Sequence, residues 1–301
     1  MSVPSVYAIA LNYNTREMTI GLFESLAKLV YPNVHLVLVD NGSKDDCAAV
    51  VASRWPQVKV FALPQNLGYA GGCNVGIRYA LEADADYVLL LNSDTVVNPP
   101  FVDELVAVGE KDPRNGFICP RIYAGAPPSD VLWSDGGGYY SLWTGFADGY
   151  ARGRRRPPEA LLDSREVTFA TGCCLARTET IRKIGLLDEG LFAYAEDIDW
   201  STKALRAGYK IITAPQALMW HLEIRATTSA WRFRLTTRNT LRVHWRHARW
   251  WHCLTAWPFI FVRWLGYMTF REVIHGRWRE AGALWKGVTD ALAGRTGSPP
   301  R

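Results

Sequence analysis

No CxxC pair occurs among the six cysteines, at 47, 73, 119, 173, 174 and 253, and two of them are adjacent. That spacing is poor for zinc and poor for a disulfide framework, so a reducing cytosol is the simplest compartment. No run of about 20 apolar residues is present to span a bilayer. The longest nearly apolar stretch near the C-terminus, 250–262, has 13 residues, contains His252 and Pro258, and stops at Arg263. The opening Met1-Ser2-Val3-Pro4 carries no basic segment backed by an apolar one, so no secretory signal is expected. Three motifs are also missing: a GxxxxGK[ST] phosphate loop, a GxSxG elbow and a GxGxxG fingerprint. Gly68-Tyr69-Ala70-Gly71-Gly72 does not match the last, and it follows a third strand-like segment rather than the first.

The 301 residues are 49% hydrophobic and 21% charged, the balance of a folded chain with one large or two smaller domains. Charge is uneven. Residues 221–301 hold 14 Lys/Arg against four Asp/Glu, while residues 1–220 hold 20 against 25. Eight of the 13 tryptophans fall in that basic part. Basic plus aromatic composition suits either nucleic acid or an anionic membrane interface.

The first 120 residues alternate between buried-strand and helical patterns. Strands are expected over Val6–Leu11, Val34–Val39, Val58–Leu63 and Tyr87–Leu91, with another beginning at Phe117-Ile118. Helices are expected over Met18–Leu29, from a Ser43/Asp46 cap pair to Trp55, through Ala83, and over Phe101–Val108. Continuous apolar strands alternating with helices predict a parallel sheet covered on both faces, with ligands at the carboxyl ends of its strands. The polar clusters Asn12-Tyr13-Asn14, Asp40-Asn41, Asn66 and Asn92/Asp94 fall at those ends. Residues 123–165, punctuated by Pro127-Pro128, Gly136-Gly137-Gly138 and a run of arginines, read as an irregular insertion near an active site or as a solvated surface loop. Beyond it, Thr171–Leu175 resembles a strand approaching a site, Glu179–Ile184 a helix stopped by Gly185, and 197–207 a helix. Lys210–Ile212 and Ala217–His221 read as two short strands.

An acidic residue at a strand end, as in Asn92-Ser93-Asp94, suits a divalent cation shared with phosphates, although such turns are also common structural features. Glu196-Asp197-Ile198-Asp199 opens a helix with three carboxylates. They can cap it and complement its dipole, or one can act as a base while another is held by hydrogen bonds. His221 ends an apolar strand, placed for metal or phosphate contact or for a structural role.

Taken in order, these clusters resemble the family 2 glycosyltransferases of the GT-A fold, in their rhamnosyltransferase-like and galactofuranosyltransferase-like branch. The resemblance spans roughly residues 5–245. It rests on Leu11-Asn12-Tyr13-Asn14, Val39-Asp40-Asn41-Gly42-Ser43, the 66–76 glycine loop, Leu91–Thr95, Thr171-Gly172, Leu187-Asp188-Glu189 with 192–199, Trp220-His221 and Arg238-Asn239. It implies an α/β fold, a Rossmann-like, mostly parallel central sheet flanked by helices, with a C-terminal helical Trp/Arg-rich extension. The implied division is a catalytic domain over 1–245 (nucleotide half 1–121, acceptor half 122–245) and an extension over 246–301.

The resemblance also implies roles. Asn12, Tyr13 and Asn14 would wrap the nucleotide base and Asp40 would contact a pyrimidine. Asn66 and the following loop, with Gly71 and Asn74, would hold nucleotide and sugar. Asp94, with Asn92 and Ser93, would hold Mg²⁺ or Mn²⁺ on the donor diphosphate, with His221 as a further ligand. Gly172 and Trp200 would face the acceptor. Asp197 would be the catalytic base, with Glu196 the second choice. In the family a proline or aspartate is commoner at position 93, so only one carboxylate lies in this short motif. The implied activity is an inverting transfer from dTDP-rhamnose or a UDP-sugar to a lipid-linked or polysaccharide acceptor.

From Trp250, apolar residues recur at helical spacing through Leu254, Trp257, Phe261, Trp264, Leu265 and Met268, with a kink or restart expected at Pro258. Arginines surround them. This suits a peripheral site on the inner face of the cytoplasmic membrane, or helices packed on the catalytic domain. A homo-oligomer stays open. Two rivals remain: a nucleic-acid-binding protein using the Arg/Trp tail, which leaves Asp94 and the 196–199 cluster unexplained, and a sugar nucleotidyltransferase, which wants a Gly-rich basic signature where Asn12–Arg16 stands. The expectation is that nucleic acid is not a partner.

Overall fold

The computed structural model describes residues 3–222 and 229–299; Met1, Ser2 and the final two positions of the basic tail lie outside the described residues. In chain order the first elements are β1 (Val6–Asn12), α1 (Arg16–Leu26), β2 (Val34–Asp40), α2 (Cys47–Arg54), β3 (Lys59–Ala62), α3 (Gly68–Glu82), β4 (Tyr87–Asn92), β5 (Thr95–Val97) and α4 (Phe101–Gly109). There follow β6 (Asn115–Ala124), β7 (Leu132–Asp135), β8 (Gly138–Ser141), β9 (Phe146–Gly149), β10 (Glu166–Val167), β11 (Leu175–Arg177) and α5 (Thr178–Ile184). The chain continues with a short 3₁₀ turn (Glu189–Leu191), α6 (Glu196–Arg206), β12 (Lys210–His221), α7 (Ala230–His247), α8 (Trp250–Pro258), a π-helical segment (Phe259–Gly266), α9 (Tyr267–Ile274) and α10 (Trp278–Leu292).

The main sheet runs β10-β12-β6-β11-β4-β1-β2-β3, with β5 pairing β12 and β7 pairing β6. Strands β4, β1, β2 and β3 are mutually parallel, and β6 and β12 are parallel to each other. Between these groups β11 runs antiparallel to both β4 and β6. The sheet is therefore mixed, with mostly parallel central strands. Buried aliphatic residues on both of its faces form two layers, one under α1, α2 and α4 and one under α3, α5 and α6. Register carries the site: Asn12 lies opposite Asp40 and Leu11 opposite Asn92, so three polar strand ends share one edge.

Several local expectations are corrected. Asp46, not Ser43, precedes α2, and it sits in a left-handed conformation without capping the helix. The Ser43 hydroxyl is instead taken up by Asn12 and the Asn14 amide. Lys210–His221 is one strand rather than two, because a register irregularity between Ala214 and Leu218 absorbs Pro215. The Thr171–Leu175 strand begins only at Leu175. Residues 123–165 are mostly irregular, as expected, but carry three short strands: β7 extends the main sheet and β8 pairs with β9. That hairpin docks on the C-terminal helices through Phe146, whose ring meets Phe259 and Trp264.

At Pro258 the helix neither breaks nor restarts. Proline has no N–H to donate and its ring crowds the preceding turn, and here the helix passes into a π-helical segment with helical backbone angles maintained. The apolar stripe of the tail divides accordingly. Ile260 and Leu265 are buried with Leu241 of α7 and Leu284, Val288 and Ala291 of α10, and Phe261, Trp264 and Met268 pack against that cluster. Trp250, Leu254, Trp257, Val262, Tyr267, Phe270 and Ile274 stay exposed.

Candidate active site

At the nucleotide end, Asn12 is fully buried and its amide is committed to the fold. Its Nδ2 donates to Asp40 Oδ1 and Ser43 Oγ, each at 3.0 Å, and its Oδ1 accepts from the hydroxyls of Thr15 and Thr19 at 2.8 and 2.9 Å. It ties the ends of β1 and β2 to the start of α1. Thr15 then reaches Ser93, with the two hydroxyl oxygens 2.8 Å apart. Tyr13 is exposed, whereas Asn14, at φ 55°, accepts from the Lys44 amide. Asn41 joins the second loop to the third: its Nδ2 donates to Asn66 Oδ1 and to the Gly68 carbonyl, and its Oδ1 accepts from the Leu67 amide. Gly68 needs its positive φ of 78°, and any Cβ there would collide with the Phe192 carbonyl. Gly71 also lies in this turn, with Leu67 against its Cβ position. Asn74 is buried on the far side of α3, where it donates to the Leu187 carbonyl and Glu189 and accepts from the Leu187 amide.

The ends of β4 and β12 bring Asp94 and His221 together, with 3.5 Å between Oδ1 and Nε2. β5 pairs with β12 so that His221 lies opposite Thr95. Trp133 of β7 stacks on the imidazole, 5.8 Å between centroids and 7° between planes, and the Arg152 guanidinium lies 5.6 Å from the same indole centroid. The insertion therefore fixes the ring of His221. Sequence reading did not single out Trp133, because nothing in local spacing links it to position 221.

The third group is built by α6. Ahead of it, Phe192, Tyr194 and Ala195 all have positive φ, a costly conformation for residues with a Cβ. Asn239 of α7 holds that turn: its Nδ2 lies 2.7, 2.8 and 2.9 Å from the carbonyl oxygens of Leu191, Ala193 and Tyr194. Buried Arg238 supports it by donating to Asn239 Oδ1 and to the Leu191 carbonyl. The turn aims Glu196 and Asp197 inward. Burial pushes both carboxyls above their ordinary range, and the charge of Asp197 pushes Glu196 further. Asp197 Oδ1 accepts from the Ile198 amide at 2.8 Å, while Glu196 Oε2 is buried without a hydrogen-bond partner. The amide donor favours the charged form of Asp197, whereas burial and the neighbouring Asp197 charge disfavour that of Glu196 more strongly. Asp199 faces the opposite way. Its burial opposes the charge, but His247, Lys203 and Arg246 outweigh that and hold the carboxyl well below the usual range.

Glu196 and Asp197 line a small cavity with Tyr69, Thr171, Gly172, Cys174 and Trp200. The Tyr69 hydroxyl donates to the Gly172 carbonyl at 2.7 Å. Trp200 lies almost wholly within the core, its Nε1 donating to the Gly185 carbonyl and its ring against Phe117. The 171–174 segment runs between the acidic groups: besides burial, Asp94 raises the Cys173 thiol and Asp197 raises that of Cys174. Beside this cavity opens a cleft of about 1230 Å³. One wall carries Tyr13, Asn41, Asn66, Gly68 and Tyr69; the other carries Trp231 and Arg234 of α7 with Arg279 and Lys286 of α10. The far wall was not legible, since 160 residues or more separate its helices from the loops they face.

A family model, Glycosyl transferase family 2, matches residues 7–185. The chain is 26% identical over 277 residues to the N-acetylglucosaminyl-diphospho-decaprenol L-rhamnosyltransferase of Mycobacterium tuberculosis, covering 83% of this chain and 87% of that protein. It is 24% identical to the dTDP-rhamnosyl transferase RfbF of Shigella flexneri, covering 72% and 69%. Among solved structures, GalNAc-T7 with UDP, GalNAc and Mn²⁺ superimposes with a TM-score of 0.62 at 16% identity, covering all of this chain. The chain spans about three-fifths of that structure, 59% of its length, and at this identity the likeness concerns the fold. The matched model, which takes in β1 through α5, and the GT-A arrangement of the sheet make this chain a member of glycosyl transferase family 2.

Proposed function

We propose that the chain transfers a sugar, with inversion, from a nucleoside-diphosphate donor to a hydroxyl of a lipid-linked or polysaccharide acceptor. The carrying observation is the placement of Asp197: a half-buried carboxylate next to buried Glu196, lining a small cavity with Tyr69 and Gly172, in a molecule that also pairs Asp94 with His221 at the ends of its strands. A single displacement needs one ionised carboxylate to take the acceptor proton as the oxygen attacks the anomeric carbon. Asp197 fills that role, and Glu196, whose charged form is disfavoured by burial and by Asp197, is the second choice. The donor base enters the near wall of the cleft, by Tyr13, Asn41 and Asn66, with Asp40 and Asn12 setting the loops beneath it. The relatives' names favour dTDP-rhamnose among donors.

Asp94 and His221 suit a divalent cation. Their oxygen and imidazole donors match Mg²⁺ or Mn²⁺, and His221 Nδ1 is buried with no hydrogen-bond partner. Among the described residues no cluster of three His, Cys, Asp or Glu forms a complete protein cage, which fits a cation shared with the donor diphosphate. Held by Asp94 and His221, a divalent cation would supply positive charge against the leaving nucleoside diphosphate. Among the described residues no helix is long and apolar enough to cross a membrane. The exposed Trp250–Ile274 row with its arginines supports peripheral contact with an anionic bilayer instead.

The test is transfer from dTDP-rhamnose and from UDP-sugars to a polyprenyl-diphosphate-linked N-acetylglucosamine, with Mn²⁺ and with chelator. Metal-dependent product from one donor supports the reading. Donor hydrolysis and transfer both absent, with no nucleotide binding, contradict it.

A further inference from the structure

The far wall of the wide cleft lies opposite the loops assigned above to the donor base. On α10, Arg279, Glu280, Ala283 and Lys286 recur at helical spacing and line the cleft, while Leu284, Val288 and Ala291 of the same helix are buried in the helical core. The wall is firmly set: Gly287 of α10 approaches α7 so closely that a Cβ there would overlap the Arg234 carbonyl. The three basic residues differ in availability. Arg234 is spent on Asp290, its Nη2 donating to Oδ1 at 3.1 Å. Among the described residues neither Arg279 nor Lys286 has an ion pair, and Glu280 is the one acidic side chain on the cleft lining. Seven residues of helix separate the two cations by about 10 Å along the axis, within joint reach of two flexible side chains.

Two further contacts say what fits. Tyr69 lines both the cleft and the small cavity holding Asp197, so a ligand lying in the cleft reaches the catalytic carboxylate past Tyr69. At its outer end α10 begins with exposed Trp278, next to the exposed Phe270 and Ile274 of α9. Apolar surface, paired cations and reactive carboxylate thus follow one another in the order lipid, anion, sugar hydroxyl. We propose that Arg279 and Lys286 form a subsite for the carrier diphosphate of a lipid-diphosphate-linked acceptor, an inference that rests on the transferase reading above. Trp231, whose indole Nε1 is buried without a hydrogen-bond partner, borders the same wall.

The test is calorimetric titration of the full chain with farnesyl diphosphate, and separately with UDP and dTDP in the presence of Mn²⁺. The double variant Arg279→Gln/Lys286→Gln is expected to weaken farnesyl diphosphate at least about tenfold, since two charge-assisted contacts are lost. Nucleotide affinity should stay within about twofold of wild type. The charge-keeping Arg279→Lys/Lys286→Arg pair should retain most farnesyl diphosphate binding, and Arg263→Gln, a cation of the extension outside the cleft, should leave it unchanged. Farnesyl diphosphate affinity equal in wild type and double variant, or no binding by wild type, overturns the subsite while leaving donor binding to stand. A matching fall in nucleotide affinity assigns the cations to the donor's phosphates and also overturns it. If farnesyl diphosphate responds as expected but no nucleotide binds, the subsite stands and the transferase reading fails.

Discussion

The Asn239 amide nitrogen lies 2.9 Å from the carbonyl oxygen of Tyr194, whose φ is 71°. With its contacts to Leu191 and Ala193, this bond sets the strained turn that orients Glu196 and Asp197. Asn239→Ala removes the donor to the Ala193 and Tyr194 carbonyls, while Leu191 keeps Arg238, and should cost about 1–3 kcal/mol of stability, with a fall in kcat. Asn239→Asp, which replaces the donor by an acceptor, should cost at least as much. Urea unfolding of both variants checks this; stabilities within about 0.5 kcal/mol of wild type would contradict the clamp.

Glu196→Gln should be nearly silent in kcat, within about threefold, because burial and the Asp197 charge already disfavour the ionised form of Glu196. The acid limb of the pH–kcat profile should lie above the ordinary carboxylate range near 4, since burial raises Asp197 and the base must be ionised. The same shift sets the sign for stability. A carboxyl raised on folding contributes fully below its unfolded pKa, and that contribution is lost as pH rises through its folded pKa. Asp197→Asn should therefore raise Tm at pH 7.5 by roughly 2 °C or more. An unchanged or lower Tm would count against the buried charge.

Trp133→Ala should weaken Mn²⁺ binding about tenfold by freeing the His221 ring, as loss of a ligand-orienting neighbour commonly does. Trp133→Phe should retain most of it. Electron paramagnetic resonance titration of free Mn²⁺ reads this without turnover. Equal affinities for all three proteins would show that the stack does not orient a ligand.

Replacing Trp250, Leu254, Val262 and Phe270 together by glutamine removes exposed apolar surface without touching the helical core. Sedimentation with phosphatidylglycerol vesicles should fall at least about tenfold, given the 1.5–3 kcal/mol each side chain gains on full burial. Unchanged partitioning would rule out this face as the membrane contact.

The alternation of Val6–Leu11, Val34–Val39 and Tyr87–Leu91 with helical segments was enough to place Asn12, Asp40 and Asn92 on one sheet edge. It did not reveal that β11 is reversed, because a three-residue strand buried on both faces carries no directional signal. The Glu196–Asp199 run was legible as a helix start, but which carboxylates face inward depends on the turn at 192–195 and on Asn239, over 40 residues away. The tail's helical spacing was visible too. Its division into a packed half and an exposed half follows from α7 and α10, and its part in the cleft follows from tertiary contact alone.

The most direct measurement compares Asp197→Asn with wild type for turnover and for donor binding in parallel. A loss of kcat of about 10²–10⁴-fold with nucleotide affinity within about twofold is expected of the proposed base. Wild-type turnover by Asp197→Asn, with donor binding intact, would contradict the assignment.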